Sequence, residues 1–264
     1  MSTPRLRAFA AGSVVICLSA LGQAAVLHVP GDYATIQNAI DHAQAGDAIL
    51  VNPGVYYEDI NFKGKALTLT STNPANTSVV QSTIIHGSGH SSAVTFTNGE
   101  TSNSVLAGFT ITGGYGTVNP AFGTNIYWGA GVYCNGSSPT IFGNIISANS
   151  APTGEVSDAG YGCGIGCIAS GATIARNLLT ANSGYAGGGI LVYLGHARIA
   201  SNLIYGNSVV VGGGAVLISG GQFINNTVVA NDAQLAGNIY ATSDASGQSV
   251  IADNIMSGGT GGIS

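Results

Sequence analysis

The residues best suited by type and spacing to do chemistry are aromatic, and they gather near the ends of long polar stretches. Tyr127 and Trp128 close a segment that starts at Tyr115; Tyr161 closes one that starts at Ser150 and contains Glu155 and Asp158; Tyr185 precedes a later glycine run. Flat aromatic rings stack on the apolar faces of sugar rings, and carboxylates accept hydrogen bonds from hydroxyls. Tyr127, Trp128, Tyr161, Tyr185, Glu155 and Asp158 therefore form the candidate ligand site. The competing reading is that these rings only pack loops onto the body of the protein, and both readings stand at this point. Other reactive side chains are sparse. Glu58 follows a Pro53-Gly54-Val55-Tyr56 turn and reads as turn-stabilising, and His86, after an apolar strand, reads as structural.

The elements that must carry these loops repeat. Asn144, Asn177, Asn202, Asn226 and Asn254 recur at steps of 33, 25, 24 and 28 residues, and the first four meet Asn149, Asn182, Asn207 and Asn231 five positions on. Upstream of each lies a small-residue start: Gly129-Ala130-Gly131-Val132, Gly162-Cys163-Gly164-Ile165, Gly187-Gly188-Gly189-Ile190, Gly212-Gly213-Gly214-Ala215 and the weaker Ala236-Gly237-Asn238-Ile239. A self-similar unit of this size marks a solenoid. Its apolar runs are short and β-branched, as in Thr173-Ile174-Ala175, so the unit is built of strands rather than helices. Three short strands with their turns fill one coil of a parallel β-helix. Stacking the coils predicts two inward rows, Ile146, Leu179, Ile204, Val228, Met256 and Ile141, Ile174, Ile199, Phe223, Ile251. The frame asparagines share the inward face, where each amide must bond to its neighbours in a ladder or cost stability. Phe109 occupies the asparagine slot of the preceding coil and is expected to plug the ladder. Ile145, Leu178, Leu203, Thr227 and Ile255 should form an outward, largely apolar row.

Composition narrows the partners. Arg5 and Arg7 precede an apolar run from Ala8 to Leu21 and a small-x-small site at Gly22-Gln23-Ala24, which reads as a secretory signal over residues 1–24. The remaining residues, 25–264, read as one β-helix, with a cap and first coils over 25–105 and regular coils over 106–264. This part keeps only Lys63, Lys65, Arg176 and Arg198 against eleven acids, a net charge near −7. Nucleic acid and anionic membrane surfaces are poor partners for such a chain, and no later segment is long and apolar enough to insert into a membrane. Cys134 and Cys167 share a slot in neighbouring coils. Direct stacking favours an inward row of free thiols over a disulfide, and Cys163 has no evident partner.

At the front, Ile36, Ala39, Ile40 and Ala43 have helical spacing, with Asp32 or Thr35 as the cap. A helix here covers the first coil, whose edges and apolar rows would otherwise be open. Strand, turn and strand follow in Ala48-Ile49-Leu50-Val51, Asn52-Pro53-Gly54 and Lys65 to Thr70. With Thr83-Ile84-Ile85-His86-Gly87 and the segment Ser104 to Gly114, this front resembles the secreted right-handed parallel β-helix repeat proteins of the pectate-lyase-like superfamily. The Gly212-Gly213-Gly214-Ala215 start with Phe223-Ile224-Asn225-Asn226 is also similar to the repeats of polymorphic outer-membrane adhesins. The resemblance implies an all-β, right-handed parallel β-helix with a short N-terminal capping helix, in a secreted, extracellular, cell-surface or periplasmic setting.

The same resemblance spans lyases, esterases, hydrolases and non-enzymatic surface proteins, and fold alone does not choose among them. A lyase of this type needs carboxylates clustered on Ca²⁺ and a base, yet Arg176 and Arg198 lie in different slots without paired acids. Esterase-type Gly-x-Asp-Phe and Gln-Asp-Thr motifs are missing, and Gly195-His196-Ala197 is a poor match to the Gly-His-Gly of polygalacturonases. Catalytic residues are thus unassigned, no metal site is predicted, and Ca²⁺ enters only under the lyase reading. The expected function is binding, with processing as an extension, of cell-wall or matrix polysaccharide. The alternative is a structural or adhesin-type surface protein whose coils act as a spacer or bind protein. The sequence stops at Gly261-Gly262-Ile263-Ser264, which matches the opening of another coil. That suggests either a longer protein or self-association through an open end.

Overall fold

The computed structural model describes residues 23–123, 125–154, 158–210, 216–242 and 249–259. Residues 1–22 of the expected signal segment, Glu155, the Gly212-Gly213-Gly214-Ala215 start and the final Gly261–Ser264 lie outside the described residues. Within them the chain winds as a right-handed parallel β-helix. One coil shows the plan: Val132–Asn135, then Thr140–Phe142, then Ile145–Ser147. The three strands belong to three parallel sheets, here a, b and c, in that order. Among the described residues sheet a has seven strands, sheet b nine and sheet c eight.

The register matches the rows read from the sequence. In sheet b, Ile141 lies beside Ile174, then Ile199, Phe223 and Ile251. In sheet c, Ile146 is followed by Leu179, Ile204, Val228 and Met256. Together with the inward residues of sheet a these rows form one continuous buried cluster from Leu27 to Ile239. The last described coil is the exception: Met256 is only partly buried, and Ile251, expected inside, is 38% exposed because no further described strand covers it. Burying such side chains contributes about 1.5–3 kcal/mol each before chain entropy is charged against it. Repetition of modest apolar rows is what makes a glycine-rich, charge-poor sequence fold.

Two ladders, rather than the single one expected, pin sheet c on both sides. In the first, Asn177 Nδ2 donates to the carbonyl oxygen of Ile141 (3.0 Å) and to Oδ1 of Asn202 (3.1 Å). Its own Oδ1 accepts from the backbone N (2.9 Å) and Nδ2 (3.1 Å) of Asn144. The pattern runs from Asn144 to Asn254. Phe109 heads it: its ring is buried and its N–H donates to Asn144 Oδ1 at 3.0 Å. The second ladder joins Asn149, Asn182, Asn207 and Asn231 in the same way and ends on Asn238 from the fifth coil start. Every buried amide on these runs is satisfied, which removes the cost of placing it inside.

Each ladder asparagine except the terminal Asn238 follows a residue in the left-handed region. Before the first ladder these are Gly143 (φ 65°), Arg176 (55°), Ser201 (57°), Asn225 (55°) and Asp253 (56°). Before the second they include Ala148, Ala181 and Ala230, at φ 52–54°. A left-handed residue costs a non-glycine roughly 1–2 kcal/mol, and the bidirectional amide bonds next to it offset that strain.

The front is capped as expected, with more detail than the sequence showed. Helix α1 (Ile36–His42) buries Ile36, Ala39 and Ile40, and Thr35 rather than Asp32 is its N-cap, accepting from Asn38 N at 3.2 Å. Asp32 instead accepts from His28 N at 2.8 Å. Glu58 does not stabilise its own turn. It accepts from the backbone N of Ile36 (2.9 Å) and Gln37 (2.8 Å), at the positive end of α1. Lys65 Nζ meets the other end, on the carbonyl oxygens of Ile40, Asp41 and Ala43. A strand at Val26–Val29 and a second short helix, α2 (Thr77–Ser82), were not visible in the sequence pattern. Cys134 and Cys167 are register partners, fully buried and free of a disulfide, and burial pushes the Cys134 thiol well up.

Candidate functional site

The corner between sheets c and a carries the long loops. The first enters a small three-stranded sheet in which Thr117–Val118 runs antiparallel to Ile126–Trp128, and Ala159–Tyr161 joins parallel to the latter. Trp128 thus lies directly beside Tyr161 in register, and Tyr127 beside Gly160. Pairing also fixes which way the rings point, because neighbours along a strand face opposite sides.

Trp128 and Tyr161 stack at 5.1 Å with planes 25° apart, and Tyr185 meets Tyr161 edge-on at 5.8 Å. Phe122 and Tyr193 complete the group, at 5.2 Å and 6.0 Å from Trp128 and 5.6 Å from each other. Five rings therefore form one continuous aromatic surface over the outer face of sheet a. Two corrections follow. Tyr127 is not in this group: it faces the other side of its strand and pairs with Tyr115 at 5.3 Å. Trp128 is not presented to solvent. It is 4% exposed and packs with Tyr133, Ile168 and Leu191, the outward residues of sheet a, in a second apolar cluster. Trp128 thus serves the packing reading, while Tyr193, 37% exposed, and the half-buried Tyr161, Tyr185 and Phe122 form the accessible rim.

The polar groups of this corner are few. Asp158 is exposed, one residue before the strand Ala159–Tyr161, and Glu155 lies outside the described residues. Tyr133, held by Asn119 Nδ2 at 2.9 Å, has its phenol pushed up to about 12 by burial. Burial followed by the neighbouring Tyr185 raises Tyr161 as well. The Trp128 indole N–H is buried with no hydrogen-bond partner among the described residues. Phenols held neutral suit hydrogen bonding and stacking, not proton transfer near neutral pH.

Tyr193 was missed in the sequence although its signal was present. In Ile190-Leu191-Val192-Tyr193 the inward residues alternate with Leu191 and Tyr193, which places the phenol on the loop-covered face. Glu100 was missed too. Nearly fully buried, it accepts from Gly64 N (2.8 Å), Asn98 N (2.9 Å) and Ser137 Oγ (2.8 Å), so it cross-braces loops. Among the described residues no three His, Cys, Asp or Glu side chains converge as metal ligands would. His196 and Arg198 share a shallow cleft with Gln222 on the far side of the coil from the aromatic rim.

The fold and this corner define a parallel β-helix with an aromatic loop face. No family model matches the chain, and no curated protein resembles it in sequence. Among solved structures it is similar to the pectin methylesterase from Aspergillus niger. The two are 15% identical, with 91% of this chain and 86% of that chain covered, at a TM-score of 0.48. That likeness is too loose to carry any inference about site or activity.

Proposed function

We propose that the protein binds neutral cell-wall or matrix polysaccharide through the aromatic rim at the corner between sheets c and a. The observation that carries this reading is the unbroken run Tyr185, Tyr161, Trp128, Phe122, Tyr193, with Trp128 as its buried anchor and the others part-exposed. Rings fixed by packing lose little entropy when a sugar docks on them, which is the condition for weak stacking energies to add up. Asp158, exposed at the edge, supplies an acceptor for hydroxyls. The chain's net negative charge weakly disfavours polyanionic sugars. No acid–base pair accompanies the rim among the described residues, so binding rather than turnover is the reading put forward.

Trp128 is the chain's single tryptophan and stacks directly on Tyr161. Its fluorescence therefore reports on the rim. Titration with neutral oligosaccharides such as xylo-, gluco- and manno-oligomers should give a saturable change with at least one series, and Tyr193→Ala should abolish it. A flat response to every series would overturn the proposal.

A second reading, a protein-binding or spacer role, is favoured by the outward row. Ile145, Leu178, Leu203, Thr227 and Ile255 stack in register, with Ile255 67% exposed. Concentration-dependent association abolished by Leu203→Glu would support it.

A further inference from the structure

The turn between sheets b and c, away from the aromatic rim, contains a built groove. Its roof is the segment leading into α2, which overhangs the tight turns of the later coils. Pro74 and Val80 line it from the roof side, and Phe142, Ile145, Leu178 and Arg176 make its floor and sides, around a cavity of about 510 Å³. That volume falls within the 300–1,000 Å³ of small-molecule sites, which are mostly apolar with a few placed polar groups.

The groove exists because of two glycines in the left-handed column. A Cβ at Gly108 (φ 77°) would come within 2.5 Å of Pro74 Cβ, so only glycine lets the roof settle there. At Gly143 (φ 65°), one coil on, the nearest atom to such a Cβ would be Pro74 O at 3.8 Å, which leaves space beneath the roof. Thr110 Oγ1 holds the roof by donating to the carbonyl oxygen of Val80 at 2.9 Å.

The third member of the column is Arg176. Its guanidinium lies 5.6 Å from the centroid of the Phe142 ring, and among the described residues it makes no ion pair or side-chain hydrogen bond. Equivalent positions in other coils hold Ser201, Asn225 and Asp253, short side chains that tolerate the left-handed region. Arg176 shares its φ of 55° with the rest of the column, so what sets it apart is the long cation itself, placed at the wall of a mostly apolar groove. Guanidinium donors arranged as a planar fork match a carboxylate. The remaining walls are mostly apolar and suit a sugar with several hydroxyls poorly, since Thr77 is the one other polar side chain in the lining that is not spent in the ladder as Asn144 is.

We propose that this groove binds a small monocarboxylate with an apolar body, its carboxylate on Arg176 and its body against Pro74, Val80, Ile145 and Leu178. The site is separate from the aromatic rim, and the two proposals stand or fall independently.

The test is calorimetric titration of the whole chain with 3-phenylpropanoate and with its uncharged amide. The acid should bind saturably with one site, and the amide about tenfold more weakly, the worth of one charge-assisted pair. Arg176→Asn, which keeps a residue suited to the turn, should bring the acid down to the amide's level without moving the melting temperature. Ala75→Phe, which fills the groove from an exposed position, should remove binding of both. Equal binding of acid and amide, acid binding unaffected by Arg176→Asn, or no saturable binding by the unaltered chain would each overturn the proposal. So would displacement of the acid by an oligogalacturonate, which would assign the groove to an acidic glycan.

Discussion

Two corners of the same coil are built in opposite ways. At the turn between sheets b and c, a left-handed residue and an asparagine suffice, coil after coil, and the amides of Asn177 and Asn202 are fully used by their neighbours. At the corner between sheets c and a, the loops are long, unequal and aromatic, and the buried Trp128 N–H is left without a partner among the described residues. A group whose hydrogen bonds are all closed within the stack has nothing left to offer a ligand. Both proposed sites accordingly lie where the repeat is interrupted, at the aromatic rim and beneath the α2 overhang.

The largest effect expected is on the loop side. Trp128→Ala empties the centre of the second apolar cluster and should cost about 3–5 kcal/mol in denaturant unfolding. Trp128→Phe should cost far less, because the smaller ring also removes an unsatisfied buried donor. If both variants lose the same stability, Trp128 does not anchor the loops as described.

Next in size is the ladder. Asn207→Ala strips Asn182 of the acceptor for its N and Nδ2 and removes the side-chain donor to the carbonyl oxygen of Leu179. About 1–3 kcal/mol should be lost, with a matching loss for Asn202→Ala in the first ladder. Ligand binding at the rim should persist in both. A variant that lost binding at an unchanged melting temperature would show the asparagines to be functional instead.

Alkaline titration should have a smaller effect. Burial pushes the Cys163 thiol from an ordinary 9.0 up to about 12. Above pH 9 the unfolded chain gives up this proton while the folded one keeps it, so this thiol's contribution is flat below pH 9 and turns destabilising as pH rises towards 12. By pH 10 the thiol should account for about 1 kcal/mol, and Cys163→Ala should flatten that part of the curve. An unchanged pH profile in Cys163→Ala would place the thiol in a more polar setting than the fold gives it.

The smallest change should come from Ala181→Gly. Relief of a left-handed alanine at φ 54° is offset by glycine's larger loss of chain entropy, leaving the stability within about 0.5 kcal/mol of the parent. A loss near that of Asn207→Ala would mean that the turn, not the amide, sets the coil.

Much of the stack was legible because a solenoid writes its contacts into the spacing. Residues such as Ile141 and Ile174 are register partners simply because they occupy one frame. Asn149 to Asn231 had the same spacing, but a second ladder needs both sides of sheet c to turn sharply, and the left-handed alanines that do so leave no mark in composition. The candidate site was legible only as a neighbourhood. Spacing brought Trp128, Tyr161 and Tyr185 together, but the antiparallel return of Thr117–Val118 decides that Trp128 faces inward and Tyr127 away. The groove was invisible, since it depends on an overhang near residue 74 meeting residue 176 three coils on.

The central claim is that the exposed rim of the aromatic surface, and not the coil as a whole, holds polysaccharide. Its most direct test compares the unaltered chain with Tyr185→Ala/Tyr193→Ala on an array of neutral and acidic wall polysaccharides, with circular dichroism as the control for folding. The account predicts retention of the unaltered chain on a neutral glycan and loss in the double variant, with the β-type spectrum unchanged. Equal retention of both proteins, or none by either, would contradict it.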